Sequence, residues 1–343
     1  MQLLTLADSY GASFYNVLMK AIVATAFNGC DSLALQDVPD PTPNKNEVVV
    51  NIEAVGVNFA DVVGAMGKYP GGPQPPYVVG REFAGRRADN GELVMGYAQF
   101  GACAGKIAVN TRMIWPVPKE WNAIQGAAFP VNYFTAWLLY WKAGLIPGGD
   151  ETSPTTPNVR KRVLIHAAAG GVGTACVQLG RLFGVEMFGT ASRADKLERL
   201  KTMGLDHAIN YTNEDYEQRV EQLTRGEGVD AAFDSLGGEH TARSLRCCGF
   251  LGRVILFGTA TGERPKFDTL AMYNKSLSAH GLWLSRLAEH HDLIKRALDQ
   301  MSGWIASGEL KPVVGAKFPL ESASEGFRLL QGRKNFGKVV LTV

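Results

Sequence analysis

Long apolar runs are absent from this 343-residue chain. No stretch approaches the roughly 20 consecutive apolar residues of a membrane-spanning helix, so an integral segment of that kind is excluded. A surplus of one charge is also missing: 35 lysines and arginines face 33 aspartates and glutamates, for a net charge of +2. That balance gives no electrostatic case for nucleic acid or an anionic lipid surface. Cysteine is scarce and odd in number, at Cys30, Cys103, Cys176, Cys247 and Cys248, with no Cys-x-x-Cys pair. No disulfide framework follows, and a reducing, cytoplasmic setting is expected. Residues 1–18 lack the basic start and apolar core of a secretory signal and are read as an N-terminal extension. What is present, 46% hydrophobic and 20% charged residues, suits a soluble chain with two ordinary domains.

The most informative segment is Arg162-Val163-Leu164-Ile165-His166-Ala167-Ala168-Ala169-Gly170-Gly171-Val172-Gly173. An apolar run feeds a small-residue turn, and Thr174 to Phe183 then reads as a helix. Backbone N–H groups at such a helix start can hold a pyrophosphate. The pattern is Ala-x-Gly-x-x-Gly, with Ala168 in the first glycine position. Gly170 admits the phosphates to the backbone, and Gly173 lets the helix lie close on the strand. Ala169, Gly170, Gly171, Val172 and Gly173 are therefore the expected pyrophosphate cradle.

The end of the next strand reads the dinucleotide. An NAD-binding unit places Asp or Glu there for the ribose hydroxyls. This chain has Ala191 and Ser192, then Arg193 and Lys196. A hydroxyl and two cations suit a 2′-phosphate, and no carboxylate repels it, so NADPH is the expected cofactor. The same two cations would otherwise be solvated charges on the next helix.

The chain divides into stretches of different texture. Residues 19–131 carry short β-branched runs broken by Gly and Pro, the pattern of a partly open β-barrel. Residues 132–285 alternate apolar strands with helical patterns. Six strand candidates, at 162–167, 185–190, 208–211, 229–234, 253–258 and 278–284, predict a doubly wound parallel sheet of the Rossmann type. Residues 286–343 open with a helix expected over 286–307, carrying Leu287, Ile294, Leu298, Met301 and Ile305 at helical spacing, and close on the strand Lys338-Val339-Val340-Leu341. Pro147 to Asn158 is polar and breaker-rich and reads as a surface loop.

Several motifs carry a resemblance to a known family. They are Gly56-Val57-Asn58-Phe59-Ala60-Asp61, Gly80-Arg81-Glu82-Phe83-Ala84-Gly85, Val131-Asn132-Tyr133-Phe134-Thr135-Ala136, the Gly-rich turn and the closing Gly337-Lys338-Val339. Over residues 19–343 the chain resembles the medium-chain dehydrogenase/reductase superfamily, and within it the zinc-free quinone oxidoreductase branch near the vesicle amine transport protein 1 homologues. The resemblance implies a GroES-like barrel over 19–131, a nucleotide domain over 132–285 and a return to the barrel over 286–343. It also implies a homodimer. Zinc enzymes of the superfamily place Cys where this chain has Asn58 and His where it has Arg81. Neither an amide nor a guanidinium serves in a Cys/His zinc shell, and no metal is expected.

Without a Lewis acid, a reductase needs an acceptor that takes hydride readily, and quinones and α,β-unsaturated carbonyls qualify. The resemblance implies that Asn58, Tyr69 and Asn132 line the cleft beside the nicotinamide, with Thr135 at its carboxamide. Tyr69 can donate a proton to a developing enolate, or belong to an ordinary Tyr-Pro-Gly-Gly turn; Asn58 can likewise be a turn residue. By position, Tyr211 lies near the adenine, and Ser235, Leu236, Phe257, Gly258 and Thr259 sit at carboxyl ends of strands, where such sheets bind ligands. Two departures stand out: the hairpin Arg86 to Val94 is compressed, and Ala65-Met66-Gly67-Lys68-Tyr69 lacks the arginine of the Arg-x-Gly-x-Tyr found in relatives. Two functions follow: an NADPH-dependent reductase of quinones or activated alkenes, or a weakly catalytic or non-catalytic binding protein of the vesicle-protein type.

Overall fold

The computed structural model describes residues 17–149 and 160–343. Most of the expected N-terminal extension and most of the loop after Pro147 lie outside them. Leu18 already belongs to a strand, Leu18–Ala24.

The strand Glu47–Val57 organises the barrel. Val50, Ile52 and Ala54 are buried while Asn51 and Glu53 between them are exposed, the period of two that sets one face against a core. It pairs antiparallel with Glu82–Arg87, with Lys106–Asn110 and with Lys338–Thr342 at the C-terminus. Strands from the first third of the chain and from its C-terminal region therefore build one seven-stranded sheet, continued by Val314–Pro319 on one side and by Leu93–Tyr97 and Ile114–Pro116 on the other. A second sheet of three strands, Leu33–Pro39, Leu18–Ala24 and Tyr77–Val78, packs beside it. Val50, Phe83, Ile107, Phe327 and Leu341 meet in the core between them.

The nucleotide domain is a six-stranded parallel sheet in the order His207–Asn210, Glu186–Ala191, Arg162–Ile165, Val229–Asp234, Cys248–Leu256, Ser278–Gly281. Chain order reverses between its first and fourth strands, the place where sheets of this kind bind ligands at their carboxyl ends. Both faces are covered. Val163 and Ile165 point into one apolar cluster, Leu164 into another with Phe188, Ile209 and Val254. The helix Pro130–Lys142 buries Trp137 completely and joins the fingerprint helix Gly171–Phe183 by a Tyr140 Oη–H donated to the Cys176 carbonyl at 2.8 Å.

Two elements differ from their expected outlines. The fingerprint helix starts at Gly171, not Thr174, so three residues of the turn form its first turn. The helix expected over 286–307 is broken into Leu284–Leu287 and His291–Ala306, with His290 non-helical at φ −85 and ψ 80. Leu287 and Ile294 are seven residues apart, two helical turns, so the apolar period runs in phase across the break and conceals it.

The junction of the domains is polar and buried. Glu82 and Lys338 form an ion pair with both side chains 2% exposed or less. Glu82 Oε2 also accepts the Val131 N–H at 2.8 Å, and Lys338 Nζ donates to Asn58 Oδ1 at 2.6 Å. Gly56 makes room for the pair, since a Cβ there would lie 2.7 Å from each side chain. Lys338→Met should cost about 3–5 kcal/mol by leaving Glu82 charged and buried without its partner. Denaturant unfolding measures this, and a loss below about 1 kcal/mol would show that the pair is replaceable.

Candidate functional site

The turn after Arg162–Ile165 has the geometry a pyrophosphate requires. Gly170 caps the helix in extended conformation, at φ −77 and ψ 178. A Cβ on Gly170 would meet only the Ala167 carbonyl, at 3.2 Å, so the space beyond it is open. A Cβ on Gly173 would lie 2.4–2.6 Å from the backbone of Ala167 and Ala168. The two glycines thus serve the ligand side and the packing side of one turn. Ala169 is buried below, and Gly171 and Val172 are partly exposed on the first turn.

A closed chain of contacts fixes this turn against the barrel. Gly337 N–H donates to the Ala169 carbonyl at 2.9 Å. Lys338, the next residue, reaches Glu82 and Asn58. Glu82 holds the Val131 N–H, and the adjacent Asn132 packs its amide on Gly171, 2.8 Å from where a Cβ would be. Asn132 and the turn are therefore neighbours. Thr135 lies buried one helical turn further along. Asn58 is 7% exposed and committed at both amide atoms, donating to Glu82 Oε1 at 2.9 Å and accepting from Lys338.

Across the cleft, Arg81 and Tyr69 form a second assembly. The Arg81 guanidinium lies 3.8 Å from the centre of the Tyr69 ring, and its Nε is 3.2 Å from Asp61 Oδ1. Burial pushes the Asp61 carboxyl up to about 6 despite Arg81 and the Asn58 N–H it accepts. Tyr69 Oη accepts from Trp283 Nε1 at 2.7 Å and lies 3.3 Å from Ser285 Oγ. Ser285 Oγ is 2.6 Å from Tyr97 Oη. Trp283 and Ser285 follow the last strand of the parallel sheet, Ser278–Gly281, so Tyr69 is held between that sheet's end and the barrel. No motif or spacing in the chain pointed to Tyr97, Trp283 or Ser285 in this place.

At the outer edge of the sheet the cations are not free, in contrast to the expectation. Arg193 is exposed and paired with Asp195 through two contacts of 2.8 and 2.9 Å. Lys196 is 6% exposed and donates to the Arg333 carbonyl at 2.8 Å; burial lowers its ammonium pKa. Arg333 is a third cation in this region, one that residue spacing did not single out. Ser192 is half-buried, and Tyr211 follows the third strand, 38% exposed. Ser235 and Leu236 form the turn after the fourth strand, where Asp234 Oδ1 accepts the Leu236 N–H at 2.7 Å. Phe257, Gly258 and Thr259 run beside it, with Phe257 N–H on the Asp234 carbonyl at 3.0 Å. Under the glycine turn, buried His166 links Thr190 and Ser244 at 3.1 and 2.9 Å, and burial draws its pKa down to about 4. It is a neutral bridge between strand and helix near pH 7, not an acid–base group of the cleft.

A seven-stranded sheet that includes the C-terminal strand, joined to a 3-2-1-4-5-6 parallel sheet with a glycine turn at the switch point, defines a two-domain protein of the nucleotide-binding class. Residues 171–303 match the zinc-binding dehydrogenase family model. The chain is 32% identical to the quinone oxidoreductase-like protein 2 homolog of Nematostella vectensis, covering 97% of this chain and 89% of that protein. It is 32% identical to the synaptic vesicle membrane protein VAT-1 homolog of Rattus norvegicus, over 94% and 84% of the two chains. The quinone oxidoreductase of Thermus thermophilus, solved also as its complex with NADPH, superposes with a TM-score of 0.82 at 32% identity, over 95% of this chain and all of that one. The chain belongs to the medium-chain dehydrogenase/reductase superfamily, in its zinc-free quinone oxidoreductase branch.

The two glycines separate binding from folding. Gly173→Val should destabilise the domain by about 3 kcal/mol or more, an overpacking clash with backbone that cannot yield. Gly170→Val should shift stability by under about 1 kcal/mol. Thermal or denaturant unfolding of the pair measures both, and equal losses would mean that Gly170 also faces the core.

Proposed function

We propose that this protein is an NADPH-dependent, zinc-independent reductase that transfers hydride to quinones or other α,β-unsaturated carbonyl compounds. The observation that carries the reading is the open approach to Gly170 at the switch point, locked by Gly337, Lys338 and Glu82 to the barrel that bears Tyr69. The residues fit a dinucleotide. Ala169 to Gly173 would hold the pyrophosphate, Thr135 the carboxamide, Tyr211 the adenine, and Ser235, Leu236, Phe257, Gly258 and Thr259 the facing edge of the crevice. The chemistry that NADPH supplies when bound is a hydride. Tyr69 is the proton donor at the acceptor's carbonyl oxygen, and Asn132 shapes the cleft beside the turn. Asn58 is a positioning residue, because both its amide atoms serve the Glu82–Lys338 pair. Metal ligation is disfavoured by the chemistry of the groups present: Arg81 is a cation already paired with Asp61.

The phosphate preference follows from how the cations are held. The exposed Arg193–Asp195 pair is weak enough for a phosphate to displace. Lys196 is buried against a neutral carbonyl, and an anion beside it would compensate a charge that burial disfavours. Arg333 stands next to it. A homodimer is also proposed: among the described residues no strand pairs with the outer side of Ser278–Gly281, and the helix Thr269–Lys275 leading into it exposes Leu270 and Tyr273 at 67% and 83%. Sedimentation showing a monomer at micromolar concentration would remove that part.

NADPH should bind about ten- to a hundredfold more tightly than NADH, the usual worth of a charge-assisted contact, and Lys196→Met should erase most of the difference. Oxidation of NADPH by a panel of quinones and enones should proceed with a chelator present. Equal affinity for the two cofactors would refute the phosphate site. A panel without turnover would favour the binding-protein reading instead.

A further inference from the structure

One hydrogen bond to Tyr69 has a direction that its chemistry fixes. A phenol oxygen has one proton and two lone pairs, whereas an indole N–H can only donate. Tyr69 Oη therefore accepts from Trp283 Nε1, at 2.7 Å. Tyr97 is 4% exposed, and either hydroxyl of the Tyr97–Ser285 pair can donate to the other. When Tyr97 is the donor of that pair, Ser285 Oγ is the acceptor, 2.6 Å away. With Ser285 accepting from Tyr97, the Ser285 proton is directed to Tyr69 Oη at 3.3 Å. Both lone pairs of Tyr69 are then taken by donors. Its own O–H is the hydroxyl hydrogen of this tyrosine–serine cluster left without an acceptor inside it.

We propose that Trp283 and Ser285, carried by the segment that leaves the last strand of the nucleotide sheet, are positioning residues that turn the Tyr69 hydroxyl outward as the proton donor to the acceptor's carbonyl oxygen. The inference rests on the reductase reading above. Hydride addition leaves an electron pair on that oxygen; the Tyr69 O–H bond breaks, an O–H bond forms on the acceptor, and the enol or hydroquinone leaves. Tyr69 is left as a phenolate that accepts from Trp283 and Ser285 until water returns its proton. Donors in place before charge develops stabilise it most, because they need no reorganisation. The Arg81 guanidinium at 3.8 Å supports the ring from its other side, so the phenol is fixed in plane and in direction. The two positioning residues come from the opposite domain, and the donor is complete only when the domains hold their relative position.

The test uses the whole protein with NADPH and 1,4-naphthoquinone. Trp283→Phe and Ser285→Ala should each lower kcat about tenfold, the lower range for one hydrogen bond to a charged group. The KM for quinone and the Kd for NADPH should stay within about twofold, since the bonds matter only as charge develops. The solvent isotope effect on kcat should rise in both variants, because proton donation becomes slower. Ser285→Thr, which keeps the hydroxyl, should recover most of the loss. In a Tyr69→Phe background, neither substitution should lower kcat further. A merely structural role would lower activity equally in that background, and this outcome overturns the inference. So does an active wild type whose kcat is unchanged by Trp283→Phe and Ser285→Ala. A wild type that leaves NADPH unoxidised with every quinone and enone offered overturns the reductase reading, and this inference with it.

Discussion

The buried ion pair between Glu82 and Lys338 is the constraint on which the rest of the site depends. Two charges taken out of water are costly, and they persist only when each is fully partnered. Glu82 meets that requirement with Lys338, the Asn58 amide and the Val131 N–H. Those partners come from three separate stretches of chain, none of them the strand of Glu82 itself. To satisfy one carboxylate, the barrel strand, the turn before its first helix, the interdomain helix and the C-terminal strand must all be in place. The glycine turn is then carried along, because Gly337 precedes Lys338 and Asn132 follows Val131. Desolvation thus becomes a source of positional accuracy: any shift of a domain would expose or orphan a charge.

The same logic explains what could be read from the sequence. The parallel sheet and the glycine turn rest on local periodicity and on small residues at fixed offsets, and each such unit is visible within about 30 residues. Gly173 could be assigned to helix–strand packing from spacing alone, and the clash distances of a Cβ there agree. The Glu82–Lys338 and Tyr69–Trp283 contacts join residues 256 and 214 positions apart, and no periodicity encodes such pairs. Both Glu82 and Lys338 sit inside motifs that carry the family resemblance, yet nothing in those motifs says that they meet. The break at His290 was hidden for the opposite reason, an apolar period that remained in phase.

The cations at the outer edge show where residue type alone is insufficient. Arg193 and Lys196 are read as a phosphate site only from the missing acid at Ala191 and Ser192. Their protonation and partners are not legible there. Lys196 is buried on a neutral carbonyl and Arg193 is paired with its near neighbour Asp195. A buried ammonium with no counter-ion is unfavourable by itself, and an exposed i, i+2 pair contributes little. Together they leave an electropositive edge that is only partly compensated, a state an incoming anion would relieve.

Arg81 shows what replacing a zinc-ligand residue does to the rest of a cleft. A guanidinium carries its own charge inward and needs a carboxylate, which Asp61 supplies from the first turn of the helix capped by Asn58. That requirement ties the position to the Asn58–Glu82 cluster on one side. On the other side the planar cation lies against the Tyr69 ring, an arrangement with a direction that a metal ion would not impose. The chain also lacks an arginine at Ala65, four residues before Tyr69. A positive charge beside the tyrosine is nevertheless present, supplied by Arg81 just before the strand Glu82–Arg87. The cleft is therefore organised by one buried cation that is fixed from below by Asp61 and that supports Tyr69 above, where the end of the parallel sheet supplies the hydrogen bonds.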